Sequence, residues 1–149
     1  MLEMKELVLH PIQLIGVELI ECNLFKNVNF KEKAILDDMN VNLKAWSKLE
    51  EEDRKIGYTY LNVIIDFESS VKPFSINITY RGVCLLDNIK CSESQFKAFL
   101  EAQGVKLLWP YIKPAVADFM IKMDIDPLKL PTLDVLKTME RADEIQEVR

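Results

Sequence analysis

The chain has 149 residues, with 19 basic and 24 acidic side chains and a net charge of -5. That length suits one domain with a core that needs no covalent staples, and the acidic balance argues against non-specific nucleic-acid binding. With only 4 glycines and 1 histidine, Gly-rich phosphate loops and His-based metal or acid–base sites are nearly excluded.

The first strand expected is QLIGVELIECNL at 13–24, where Glu18 and Glu21 interrupt aliphatic residues. Opposite strand parity would send those two acids to opposite faces. A polar stretch follows, then VNLKAWSKL at 41–49, with Val41, Leu43, Ala45 and Leu49 on one face and Asn42, Lys44 and Lys48 on the other. The run Glu50, Glu51, Glu52, Asp53 opens a solvated turn at 50–55 that lacks the ligand spacing of a calcium loop. In IGYTYLNVIIDF at 56–67, Leu61, Val63, Ile65 and Phe67 form an apolar stripe. The segment FSINITYRG alternates most cleanly, with Phe74, Ile76, Ile78 and Tyr80 facing one way. Strands with one polar face predict a four-stranded antiparallel sheet.

Near residue 90 the period changes. Ser92 with Gln95 three residues on matches a capping box, and Gly104 offers a helix stop. From Val105 to Met123, Leu108, Ile112, Ala115 and Phe119 share a stripe, flanked by Trp109, Val116, Met120 and Met123. So wide an apolar arc needs cover on more than one side. The sheet supplies one cover, and a second subunit is expected to supply the other through Trp109, Ile112, Val116, Phe119 and Met120. Pro127 and Pro131 make 124–134 an extended connector. The tail from Leu133 has Leu136, Met139, Ala142, Ile145 and Val148 at three-residue steps and reads as an amphipathic terminal helix. The fold class is therefore α+β, one domain over 1–149, with strands within about 13–87 and helices within about 92–148.

No apolar run approaches the ~20 residues of a membrane helix, and the acid-bearing N-terminus does not read as a signal peptide. Cys22, Cys84 and Cys91 are odd in number and form no CxxC, so reduced thiols in a cytoplasm are expected, without a metal. His10 has no companion nucleophile, and no paired carboxylates, Walker loop or nucleophile elbow is found. The chain reads as a non-enzyme without a cofactor. A surface feature remains. Trp46 shares parity with Lys44 and Lys48, and Tyr58 and Tyr60 lie opposite the Leu61–Phe67 stripe. Aromatics on an outward sheet face mark a binding surface when they cluster.

Residues 107–136, LLWPYIKPAVADFMIKMDIDPLKLPTLDVL, resemble the signature of the SecB family. Leu108, Trp109, Pro110 and Tyr111 match its helix motif, Asp118 a later helix position, and Pro127, Leu128, Leu130 and Pro131 its connector. Gly82 and Leu85 resemble the end of its fourth strand, and the likeness extends over roughly residues 13–140. Pro114 departs from the pattern, one turn after Pro110, and should bend the helix start. The resemblance implies an ATP-independent chaperone that holds unfolded preproteins and passes them to SecA. It implies a homotetramer, a dimer of dimers with sheets outward and long helices packed between dimers. It also implies a client groove lined by Trp46, Tyr58 and Tyr60, and Glu18 as the contact towards SecA. Some SecB-like relatives instead protect one antitoxin, and a non-chaperone oligomeric adaptor is the reading from another class.

Overall fold

Alternating apolar and polar side chains build four antiparallel strands, and the change of period builds one long helix. The computed structural model describes residues 9–30, 39–87, 90–127 and 130. It contains β1 (Ile12–Lys26), β2 (Met39–Leu49), β3 (Ile56–Phe67), β4 (Phe74–Leu86) and α1 (Glu93–Lys122). The sheet order is β1-β4-β3-β2, so β1 and β2 are its two edges. This is the α+β sheet-on-helix architecture expected from the sequence. The expected C-terminal helix, beyond Leu133, lies outside the described residues.

Register explains which face is which. In β3 and β4 the apolar stripe pairs across strands as Leu61 with Tyr80, Val63 with Ile78, and Ile65 with Ile76. These side chains face α1, and Leu61, Val63, Ile65, Ile76 and Ile78 are fully buried there. The 50–55 run is the expected hairpin turn, closed by Glu50 N–H donating to Ile56 O and Ile56 N–H to Asp53 O.

One expectation for β1 is corrected. Register shifts fall between Leu14 and Gly16 and between Leu19 and Glu21, leaving Ile15 and Ile20 as the extra residues. A bulge resets strand parity. Glu18 and Glu21 therefore pair with Arg81 and Thr79, which lie two apart on β4, and share one face of the sheet.

The helix begins where expected. Ser92 Oγ accepts from Gln95 N–H while Gln95 Oε1 accepts from Ser92 N–H, a complete capping box. Two helix expectations are corrected. Gly104 does not end the helix, which runs on to Lys122. The glycine is there for close approach: a Cβ on it would overlap Thr59 Oγ1 of β3. Nor do Pro110 and Pro114 fall at the helix start. Both lie inside the helix and are exposed. The carbonyls that lose their amide partners belong to Lys106 and Pro110, which are also exposed. The actual end is a Schellman motif. Asp124, at φ 56°, donates its N–H to Ile121 O, and Ile125 donates to Met120 O.

Most of the residues expected at a subunit contact lie deep in the chain. Ile112, Val116 and Met120 are fully buried, and Trp109 nearly so, within the chain's own core. They pack with the β3 and β4 stripe and with Leu130 of the connector. The helix lies mainly over β3, β2 and β4 and least over β1. Much of the wide apolar arc is thus covered by the chain itself. Phe119 is half-buried at the border of this core.

Gly104→Ala provides a test of the close approach. In an ordinary helix interior this change stabilises by about 1 kcal/mol. Here overlap with Thr59 should reverse the sign, with a net loss of ~1–3 kcal/mol. In a Thr59→Ala background most of that loss should disappear. Urea unfolding of the four proteins reads the cycle, and a stabilised Gly104→Ala single variant would refute the packing role.

Candidate functional site

The sheet face away from α1 carries no element packed on it among the described residues. Register lines up four side chains across it. Glu18 of β1 pairs with Arg81 of β4, Arg81 with Tyr60 of β3, and Tyr60 with Trp46 of β2. Directly paired residues share a face, so the row is continuous from one edge of the sheet to the other. The neighbouring row holds Val83, Tyr58 and Lys48, and the other neighbour holds Glu21, Thr79, Asn62 and Lys44.

Contacts within the row fix its shape. Trp46 and Tyr60 stack nearly parallel, 5° between planes and 5.2 Å between centroids. Tyr58 tilts against Tyr60 at 6.4 Å. The Arg81 guanidinium sits 4.6 Å from the Tyr58 ring centroid, and Lys48 Nζ lies 5.8 Å from it. Arg81 Nε and Nη2 donate to Glu18 Oε2 at 2.9 and 2.5 Å. An aromatic stack contributes ~0.5–1.5 kcal/mol and an exposed cation–π contact about 0.5–1. An exposed ion pair adds roughly 0–1 kcal/mol. Together these contacts hold side chains in place more than they stabilise the fold.

Exposure divides the three aromatics. Trp46 is 47% exposed, Tyr58 half-buried, and Tyr60 only 7% exposed. Tyr60 is on the outward face as expected, and it is the most buried ring of the three. Its ring lies under Trp46 and beside Tyr58, and Trp46 is the ring left open. Below the row, Asn62 and Thr79 are buried polar groups on the same face. Asn62 Nδ2 donates to Asn77 Oδ1 at 2.8 Å and lies 3.0 Å from Thr79 Oγ1, so burial leaves its amide satisfied.

Electrostatics follow the same geometry. The Tyr58 hydroxyl donates to Glu50 Oε2 at 2.7 Å. That bond, with burial and the Glu50 charge, raises the phenol above its ordinary value, against the opposing pull of Arg81. Glu18, and then the Tyr60 hydroxyl, hold the Arg81 guanidinium more firmly protonated than usual. Across the row, Glu18 and Glu21 lie at the β1 side and Lys44 and Lys48 at the β2 side. The face is therefore polarised from edge to edge.

Arg81 is the residue that sequence reading missed. It stood among polar alternates of β4 with no signal to separate it from Ser75 or Asn77. Only the register, which places it between Glu18 and Tyr60, shows that it joins the acidic and aromatic ends. His10 has a local role. Its Nδ1 accepts from Ile12 N–H at 3.0 Å and its ring packs on Phe99. Among the described residues, no three His, Cys, Asp or Glu side chains converge to hold a metal. No helix among them is long and apolar enough to cross a membrane.

Comparison with solved structures places the fold. A SecB-like chaperone from Mycobacterium tuberculosis, solved in complex with a peptide from an antitoxin, matches with a TM-score of 0.67 at 12% identity. The match covers 83% of this chain and 91% of that one. A protein of unknown function from Streptococcus agalactiae matches with a TM-score of 0.41 at 9% identity, over 81% of this chain and 97% of that one. No family model matches the sequence, and no curated protein does. The fold is thus SecB-like, as the sequence resemblance implied.

Removing the Glu50 carboxylate should relax the Tyr58 phenol. In Glu50→Gln, phenolate absorbance attributed to Tyr58, by difference from the matching Tyr58→Phe protein, should develop at lower pH than in the parent. An unchanged titration would show that the Glu50 contact does not set it.

Proposed function

We propose that this chain is a SecB-like, ATP-independent chaperone that binds non-native polypeptide on the outward face of its sheet. The observation that carries the reading is Trp46, a large ring left half open on a face that no element among the described residues covers, and held by Tyr60 beneath it. Apolar burial against such a ring is non-directional, at about 25 cal/mol per Å² before ordering costs. It suits clients of many sequences. The chemistry is holding, not bond-making, and needs no cofactor. Cytoplasmic localisation, where unfolded chains and reduced thiols coexist, belongs to the same reading. The adaptor alternative requires all three aromatics to be buried, and the exposure of Trp46 weighs against it.

Two client classes fit. One is preproteins held for export and passed to SecA. The other is a single dedicated partner such as an antitoxin. The Mycobacterium tuberculosis neighbour, solved with an antitoxin peptide, favours the second. So does the ion pair with Arg81, which occupies the Glu18 carboxylate that the resemblance would direct to SecA.

A homo-oligomer, with the tetramer as its expected form, is part of the proposal. The contact surface shifts from the helix to β1. This edge strand of 15 residues leaves Leu19 43% and Ile20 46% exposed, with Leu24 and Ile15 also open beside a backbone edge that no strand among the described residues pairs. Edge strands of this kind are seldom left bare. A second copy is the occupant we assign, because closed symmetric assembly is the usual way to cover such an edge.

Two measurements test the reading. At stoichiometric amounts and without nucleotide, the protein should suppress aggregation of a reduced, denaturant-unfolded client. Trp46→Ala should lose most of that suppression and Trp46→Phe should keep it. No suppression by the parent protein would end the chaperone reading. Separately, light scattering should give a mass near four times the chain's 17.3 kDa. Leu19→Lys with Leu24→Lys should lower that mass, and an unchanged mass would remove β1 from the contact.

A further inference from the structure

The second edge of the sheet, β2, has a different character from β1. Its outward positions are Asn40, Asn42, Lys44, Trp46 and Lys48, all exposed. Two lysines thus flank the open tryptophan at a spacing of two residues, about 7 Å on each side. Neither lysine has a carboxylate within ion-pair distance among the described residues. The inward positions between them are Ala45 and Ser47, which are small, and Ala45 is itself exposed. The backbone edge of β2 that faces away from β3 has no strand paired to it among the described residues.

We propose that β2 is a strand-addition site for an extended polypeptide segment that carries acid, apolar, aromatic, apolar and acid side chains in succession. The inference rests on the reading of this face as a polypeptide site and names the partner's chemistry. A strand added to β2 would place one residue opposite Trp46 on the outward face. Residues two before and two after would then lie opposite Lys44 and Lys48. Opposite charges directly across a pair of strands stabilise, and like charges destabilise. The two intervening residues point to the inward face beside Ala45 and Ser47, where small neighbours leave room for aliphatic side chains. Main-chain hydrogen bonds supply affinity, and alternate side chains supply selectivity.

The same residues suit other roles less well. Lysines on an edge strand can serve only to discourage aggregation. A half-open tryptophan between them works against that purpose. A single-stranded nucleic acid also combines phosphates with stacking. However, Glu18 and Glu21 share this face, and its other open ring, Phe25, lies on the opposite edge strand, β1. The β1 edge of a second copy carries Glu18 and Glu21 too. Pairing β1 to β2 would be a heterologous contact, which builds an open filament unless its rotation closes a ring. Glu50 follows two residues after Lys48, but its carboxylate is turned to the Tyr58 hydroxyl.

The test uses two fluorescent peptides of identical length, one with the core Glu-Val-Trp-Val-Glu and one with Lys-Val-Trp-Val-Lys. At low salt the acidic peptide should bind the full-length protein about tenfold more tightly, from two attractive pairs exchanged for two repulsive ones. The preference should shrink as salt is raised. Lys44→Glu with Lys48→Glu should reverse it, with an unchanged circular dichroism spectrum because both positions are exposed. N-methylation of alternate residues tests strand addition. In a strand only alternate amides face the neighbour, so one methylated set should abolish binding and the other should preserve it. Equal or tighter binding of the basic peptide would overturn the inference. So would displacement of the acidic peptide by polyuridylate, or concentration-dependent filaments that compete with it. These outcomes separate from those of the holding assay. A protein that suppresses aggregation without charge preference loses this inference alone. One that prefers the acidic peptide but suppresses nothing loses the general chaperone reading alone.

Discussion

The contact between α1 and β3 determines what every other surface is free to do. Gly104 lets the helix backbone approach Thr59, and Gly57 of β3 leaves room for Phe96 and Leu100 one helical stretch earlier. With the helix seated this closely, Leu108, Ile112, Val116 and Met120 reach the stripe of β3 and β4 and are buried by it. One sheet face is thereby satisfied within the chain. One helix reaches mainly the start of β1, where Ile12 is buried with Phe96 and Leu100, and not the opposite face. The two open edges and the aromatic row are consequences of that allocation.

Those remaining surfaces are not equivalent. The β1 edge is apolar and carries two bulges, Ile15 and Ile20, which turn further apolar groups outward. The β2 edge is basic and carries one open ring. Between them Arg81 shares a carboxylate with Glu18 and a π face with Tyr58. An event at one side, such as displacement of Glu18, would be felt by the Tyr58 and Tyr60 rings that support Trp46. The coupling needs no conformational change of the backbone, because each link is a direct side-chain contact. Its strength is limited, since every link is at least partly in water.

Much of this was legible in the sequence. Period-two alternation located β3 and β4, and the Ser92–Gln95 pair located the helix start. The side of β3 that Tyr58 and Tyr60 occupy followed from parity alone. What was not legible has specific causes. Gly104 resembles a stop because glycine serves equally for a cap and for close packing, and only Thr59 across the interface tells the two apart. Glu18 and Glu21 were assigned to opposite faces because a bulge leaves no compositional mark in β1. The burial of Tyr60 depended on a stack with Trp46 that is local in space but fourteen positions away in the chain. The burial of Trp109, Ile112, Val116 and Met120 within the chain has a quantitative reason. A helix that spans 93–122 crosses three strands, and their combined inward face is wide enough to absorb an arc that one strand pair could not.

This redistribution alters the meaning of the chain's acidic balance. A net charge of -5 suggests a surface that draws basic partners. The outward face does not follow the total. Of its acids, Glu18 and Glu21 lie on β1, where Arg81 neutralises one, and Asp66 of β3 is paired with Lys72, while Lys44 and Lys48 collect on β2 beside the open tryptophan. Net charge governs solubility and long-range repulsion, but at ordinary ionic strength the field that a docking segment meets is set within about 8–10 Å. At that range the β2 edge is basic. A partner can therefore be acidic and still approach an acidic protein, provided that it docks at this edge and in extended form.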